Sequence, residues 1–149
     1  MKTHIAIDTG KSGAIAVNYN DGSAVESFNC PDTVQELSDV FKVIKAKNKG
    51  EIFCILEKVA SMPGQGVKSM FSFGQNYGTY QGVLSALDIP FKLIRPIEWQ
   101  KKVGGAPKDK KARKNYFKAY SQNLYPHLRA TLKNGDALAM LSVVKEFEV

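Results

Sequence analysis

Hydrophobic and polar positions alternate along the chain in short, well-marked segments. Residues 3–8 (THIAID) and 13–19 (GAIAVNY) are apolar and β-like, and Thr9-Gly10-Lys11-Ser12 separates them. Two such runs about a tight polar turn predict a hairpin. Asn20-Asp21-Gly22 predicts a second turn and Ser23 to Phe28 a third strand, which completes an antiparallel meander. Thr33 with Glu36 three places on has the spacing of a capping box. Val34, Leu37, Val40, Phe41 and Ile44 then recur at helical spacing, with Gly50 as the stop. Glu51 to Glu57 (EIFCILE) is apolar and too short for a helix. It predicts a strand buried on both faces, as in a parallel sheet covered by helices.

Pro63, Gly64 and Gly66 predict a loop after that strand, and Ser69 to Leu87 a helix. Gly74, Gly78 and Gly82 are each four apart and share one face of it. Each glycine costs a helix interior about 1 kcal/mol relative to Ala. The bare stripe therefore predicts another backbone lying close against it; a looser, partly irregular segment is the alternative. Phe91 to Arg95 predicts a strand, Pro96 to Lys102 a short helix opening on proline, and Lys108 to Leu124 a further helix. Asp136 to Phe147 predicts the last helix, with Leu138, Leu141 and Val144 along one side. A meander followed by βαβ units predicts an α/β fold of ribonuclease H-like type: a mixed five-stranded sheet with helices on both faces. The length, 149 residues, predicts a single domain over 1–149.

Apolar residues make up 44% and charged residues 23%, which excludes disorder as the main state. No apolar run approaches the ~20 residues needed to span a bilayer. The start, MKTHIAIDTG, has no long apolar stretch ending in a small-residue cleavage site. Cys30 and Cys54, the two cysteines, fit a reduced cytoplasmic protein and cannot supply a four-cysteine zinc site. Lysine and arginine number 21 against 14 acids, a net charge of +7, which favours an anionic partner, most broadly nucleic acid. The excess concentrates in Lys101, Lys102, Lys108, Lys110, Lys111, Arg113, Lys114 and Lys118, opposed locally by Asp109 alone. Lysines beside a Gly104-Gly105-Pro107 loop can follow a phosphate backbone without reading bases; a merely solvated helix face is the alternative.

Three acids stand where simple burial would not put them. Asp8 ends the first strand, Glu57 ends the buried strand, and Asp136 opens the last helix after Asn134-Gly135. Adjacent strands in a mixed sheet can bring the first two to one rim, and a helix starting above that rim can add the third. Clustered carboxylates repel one another unless a cation is present. Hard divalent cations prefer such oxygen ligands, and paired ions of this kind serve in-line phosphodiester cleavage. Taken singly, Asp8 could cap its turn, Glu57 could pair with a surface lysine, and Asp136 could be an N-cap.

The stretches IAIDTGKSGAIAV (5–17), ILEKVASMPGQGVKSMFSFGQNYG (55–78), IRPIEWQKKVG (94–104) and GDALAML (135–141) resemble the RuvC-type Holliday junction resolvases, specifically their small phage and poxvirus-like branch. The resemblance implies metal-binding, catalytic roles for Asp8, Glu57 and Asp136, and a catalytic lysine at Lys101 or, as second choice, Lys102. It implies a homodimer that cuts branched DNA with Mg²⁺, or Mn²⁺ in its place, two ions to each active site. It also implies that an aromatic at Phe71 or Phe73 stacks on an unpaired base, while Lys68, Lys102, Lys108, Lys110, Lys111 and Lys114 are expected on the DNA; core packing is the alternative for both phenylalanines. The family usually has a further Asp or His about three residues before its last Asp, where this chain has Lys133. Asn134 or a water in that place, a shortened segment, or weakened metal affinity and turnover are the alternatives, with His127 a distant substitute ligand.

With His4 and His127 the only histidines, a catalytic triad is hard to build. Three competing activities remain: a ribonuclease H-like nuclease on structured RNA, a non-catalytic junction-binding module, and a sugar-kinase-like ATPase. The last draws on Asp8 to Ser12, but it needs two domains about a nucleotide cleft. No Walker-type loop is present, so no nucleotide cofactor is expected.

Overall fold

The computed structural model describes residues 2–10, 12–59, 64 and 66–148. Lys11 and Pro63, both assigned to turns above, lie outside them. Five strands, β1 (Lys2–Asp8), β2 (Ala14–Asn18), β3 (Glu26–Asn29), β4 (Glu51–Glu57) and β5 (Phe91–Ile94), form one sheet in the order β3-β2-β1-β4-β5. β1 pairs antiparallel with β2 and β2 with β3, while β1–β4 and β4–β5 are parallel. The helices are α1 (Val34–Lys47), α2 (Val67–Ala86), α3 (Pro96–Val103), α4 (Lys110–Leu124) and α5 (Gly135–Ser142). This is the mixed ribonuclease H-like sheet predicted from the meander and the βαβ units. Among the described residues no helix is long and apolar enough to cross a membrane, and both cysteines are free.

The alternation of β1 explains why helices cover both faces. Ile5 and Ile7 point into a core with Leu37, Phe41 and Ile44 of α1 and Tyr80 and Leu84 of α2. Ala6 points the other way, with Ala14, Ala16 and Ile55, into a core built by Trp99, Phe117 and most of α5. The second face is lined by small side chains, and α5 adds Ala137 and Ala139 to it. Small residues on both surfaces let α5 lie close to the sheet. Because strand side chains alternate, Asp8 shares the face of Ala6, and Glu57 the face of Ile55.

Local chemistry sets the ends of the elements. Thr33 caps α1, its hydroxyl accepting from the Glu36 N–H at 3.1 Å. The third strand begins three residues later than its apolar pattern suggests. The turn before it runs on because Asp21 accepts from the Ser23 N–H at 2.9 Å, following Asn20 at φ 55°. The last helix ends at Ser142, and Val144–Phe147 is a separate 3-10 turn. Among the described residues the glycine stripe of α2 does not meet another backbone: a Cβ on Gly74, Gly78 or Gly82 would have nothing within 4 Å.

Two other glycines do make close approaches. A Cβ on Gly13 would stand 1.8 Å from the Asp8 carbonyl oxygen, so only glycine lets the β1–β2 hairpin close on Asp8. A Cβ on Gly135 would stand 3.0 Å from Cα of Lys118, so glycine is what lets α5 start against α4. Ser121 holds that contact by donating to the Gly135 carbonyl at 2.8 Å.

Candidate active site

Asp8 and Glu57 leave the C-terminal ends of parallel neighbours. The ladder pairs Ile7 with Leu56, so the two acids emerge side by side on one rim. Asp136 comes to the same rim from above, in the first turn of α5. All three line one cleft of about 1080 Å³. Asp8 and Asp136 are buried, and Glu57 is half-buried. The carboxyl groups of Asp8 and Glu57 stand close enough for each to bear on the other's ionisation.

Burial, with the charges of Glu57 and Asp136 beside it, holds the Asp8 carboxyl well above the usual carboxylate range. Burial raises Glu57 as well, against the opposing pull of its hydrogen bond from Trp99. That bond runs from the indole N–H to Glu57 Oε2 at 2.6 Å, and Trp99 is fully buried. Its ring packs against Phe117 at 4.8 Å between centroids. The indole therefore fixes Glu57 from a rigid support.

Lys114 is the cation at this rim. Its Nζ donates to Asp136 Oδ2 at 2.7 Å and lies 3.9 Å from Asp8 Oδ2. Burial lowers the Lys114 pKa, but Asp136, Asp8 and Glu57 outweigh it and hold the ammonium above its usual value. The helical spacing Lys110, Lys114, Phe117, Ser121 runs along one side of α4, and Phe117 and Ser121 are buried. That phase turns Lys114 inward and was legible in the sequence.

Lys68, Phe73, Lys110 and Arg113 also line the cleft. Lys101 and Lys102 do not: both stand exposed in the last turn of α3. With ~100° per residue, burying Trp99 turns Lys101 about 200° away. The lysine that reaches the acids is thus Lys114 rather than Lys101. Lys108, Lys111 and Phe71 are exposed outside the cleft lining, Phe71 at 72%.

The segment before Asp136 supplies no further acid. Lys133 is exposed and outside the cleft lining. Asn134 is committed to its own loop: its Oδ1 accepts from the Thr131 N–H at 2.7 Å and its Nδ2 donates to the Arg129 carbonyl at 3.1 Å. His127 is bonded to the Val25 carbonyl at 3.0 Å, outside the cleft lining.

The donor set is all oxygen, which suits Mg²⁺ or Mn²⁺. Asp136 Oδ1 is buried and has no hydrogen-bond partner, an acceptor left open to a cation. Among the described residues, no three His, Cys, Asp or Glu side chains already close around one ion position. The acids are gathered about the Lys114 ammonium instead.

No protein-family model matches the chain, and no curated protein matches it in sequence. Solved structures do resemble it. One is Thermus thermophilus RuvC in complex with a Holliday junction substrate, at TM-score 0.61 and 12% identity, covering 95% of this chain and 90% of that one. Another, a Thermus thermophilus RuvC structure, gives TM-score 0.58 and 14% identity over 93% of this chain and 90% of that one. The likeness establishes a RuvC-like fold.

Proposed function

We propose that the chain is a structure-selective endonuclease that hydrolyses phosphodiesters in four-way or branched DNA with a divalent cation. The observation that carries this reading is the meeting of Asp8, Glu57 and Asp136 at one rim, inside a cleft whose walls bear Lys68, Lys110 and Arg113. Acids at the floor suit a metal, and cations at the wall suit a polyanion. Asp8, Glu57 and Asp136 would hold Mg²⁺ or Mn²⁺, two ions in the working site. Such ions lower the pKa of a water nucleophile and neutralise charge on the leaving oxygen. Trp99 keeps Glu57 oriented, and Lys110 and Arg113 hold the strand by its phosphates.

The RuvC-like fold supports a junction as substrate, and the sequence stretches quoted above support the small phage and poxvirus-like branch. In this reading residues 1–149 form one cytoplasmic nuclease domain that acts as a homodimer. The open Gly74, Gly78 and Gly82 face of α2 supports pairing with a second copy. Phe71 and Phe73, at the cleft end of the same helix, would stack on unpaired bases. No nucleotide cofactor enters.

A second reading, a junction-binding module without activity, draws on Lys133 and on the commitment of Asn134 to its own loop. A labelled four-way junction incubated with Mg²⁺ or Mn²⁺, beside Asp8→Asn, separates the two. The nuclease reading expects cutting by the wild type, abolished in the variant with junction binding kept. Binding without cutting in both metals establishes the inactive module. Cutting unchanged in Asp8→Asn overturns the site, and preferential cutting of structured RNA overturns the substrate.

A further inference from the structure

The acids at the rim are organised around a lysine. Lys114 Nζ is 2.7 Å from Asp136 Oδ2 and 3.9 Å from Asp8 Oδ2, spanning elements far apart in the chain. The other oxygen of Asp136 is buried and unpartnered, so the site can still accept a cation on that side. No three acidic side chains among the described residues close around a common ion position. An ion between Asp8 and Asp136 on the Lys114 side would have to lie beside the ammonium, where two like charges repel. Three carboxylates and one ammonium leave two negative charges when all are ionised, which one divalent ion cancels.

Resting on the metal-site reading above, we propose that Lys114 is the resident cation of this acidic rim. It fills one of the two ion places in the DNA-free protein, which therefore takes up a single divalent ion. The two-ion site forms only once the ammonium is drawn off Asp136. The side chain is 35% accessible and faces the cleft shared with Lys110 and Arg113, so a phosphate laid there lies within its reach.

The test counts Mn²⁺ bound to the full, DNA-free chain by calorimetry and by electron paramagnetic resonance of the free ion. Wild type and Lys114→Arg are expected to bind one ion. Lys114→Met is expected to bind a second ion, or the first about tenfold more tightly. Without metal, Lys114→Met should melt lower than the wild type, and Mn²⁺ should close the gap. If that variant fails to fold even with Mn²⁺, Lys114→Gln takes its place in the same titration. Two ions on the wild type, or a Lys114 variant equal to it in both number and affinity, overturns the proposal. Wild type binding no more Mn²⁺ than Asp8→Asn overturns the metal-site reading itself, a different result from the first two.

Discussion

Substituting Gly13 by alanine tests whether the β1–β2 hairpin is what aims Asp8. The added Cβ would stand 1.8 Å from the Asp8 carbonyl oxygen and 2.7 Å from its carbonyl carbon. Folded proteins essentially never hold a Cβ within 3.0 Å of such an atom, so the two strands must part by more than about 1 Å. The obstacle is backbone, and no rotamer change relieves it. Overpacking of this kind costs about 1–3 kcal/mol and occasionally more. At about 2–4 °C per kcal/mol for a chain of this size, melting should fall by roughly 2–12 °C. The carbonyl that moves belongs to Asp8 itself, so its carboxyl moves too, and a displacement of about 1 Å at a reacting centre can cost ~100-fold in rate. Thermal unfolding by circular dichroism and single-turnover cutting of a four-way junction measure the two effects. A variant that melts within about 1 °C of the wild type and cuts at an equal rate would refute this account of the hairpin.

Trp99→Phe removes the N–H that binds Glu57 Oε2 at 2.6 Å and leaves a smaller ring against Phe117. Losing a hydrogen bond to an ionised partner costs ~1.5–3 kcal/mol, and partners that orient a ligand side chain typically matter 10–100-fold for metal affinity or activity. Mn²⁺ affinity unchanged within twofold would show that the indole does not position Glu57. At the opposite end of β1, buried His4 accepts a hydrogen bond at Nδ1 from the Asn20 amide at 3.0 Å and donates from Nε2 to Glu148. Burial lowers the His4 pKa despite Glu148, so the folded protein binds fewer protons there than the unfolded chain. This part of the stability is complete above about pH 6.5 and is lost as the pH falls through that value. Glu148, held below its usual range chiefly by Lys2 and His4 against the opposing effect of burial, adds a loss in the same direction at lower pH. His4→Gln should flatten the melting temperature between about pH 7 and 5.5, and an unchanged slope would assign that acid loss elsewhere.

The parts of the molecule that follow from period and burial were readable in the sequence. Between its terminal acids β4 is apolar because it is covered on both faces, and Cys54, Ile55 and Leu56 are fully buried. The acids at the ends of β1 and β4 were readable for the same reason: parallel neighbours end together, and a carboxylate there has no apolar purpose. What the sequence left undetermined depended on relations between elements. The Gly74, Gly78 and Gly82 stripe meets nothing among the described residues of this chain, which leaves the face open to a second copy, whereas Gly13 and Gly135, which look like ordinary turn residues in the sequence, stand against Asp8 and Lys118. Lys101 was what the family resemblance implied, and the burial of Trp99 turns it away from the cleft. Lys114 could have been found from the phase of Phe117 and Ser121 along α4, but its partner could not, because the approach of α4 to α5 depends on a missing side chain at Gly135. A single methyl group there would push on Lys118, one turn beyond Lys114. The distance that joins Lys114 to Asp136 is therefore set by the packing of two helices, and local propensity in either helix says nothing about it.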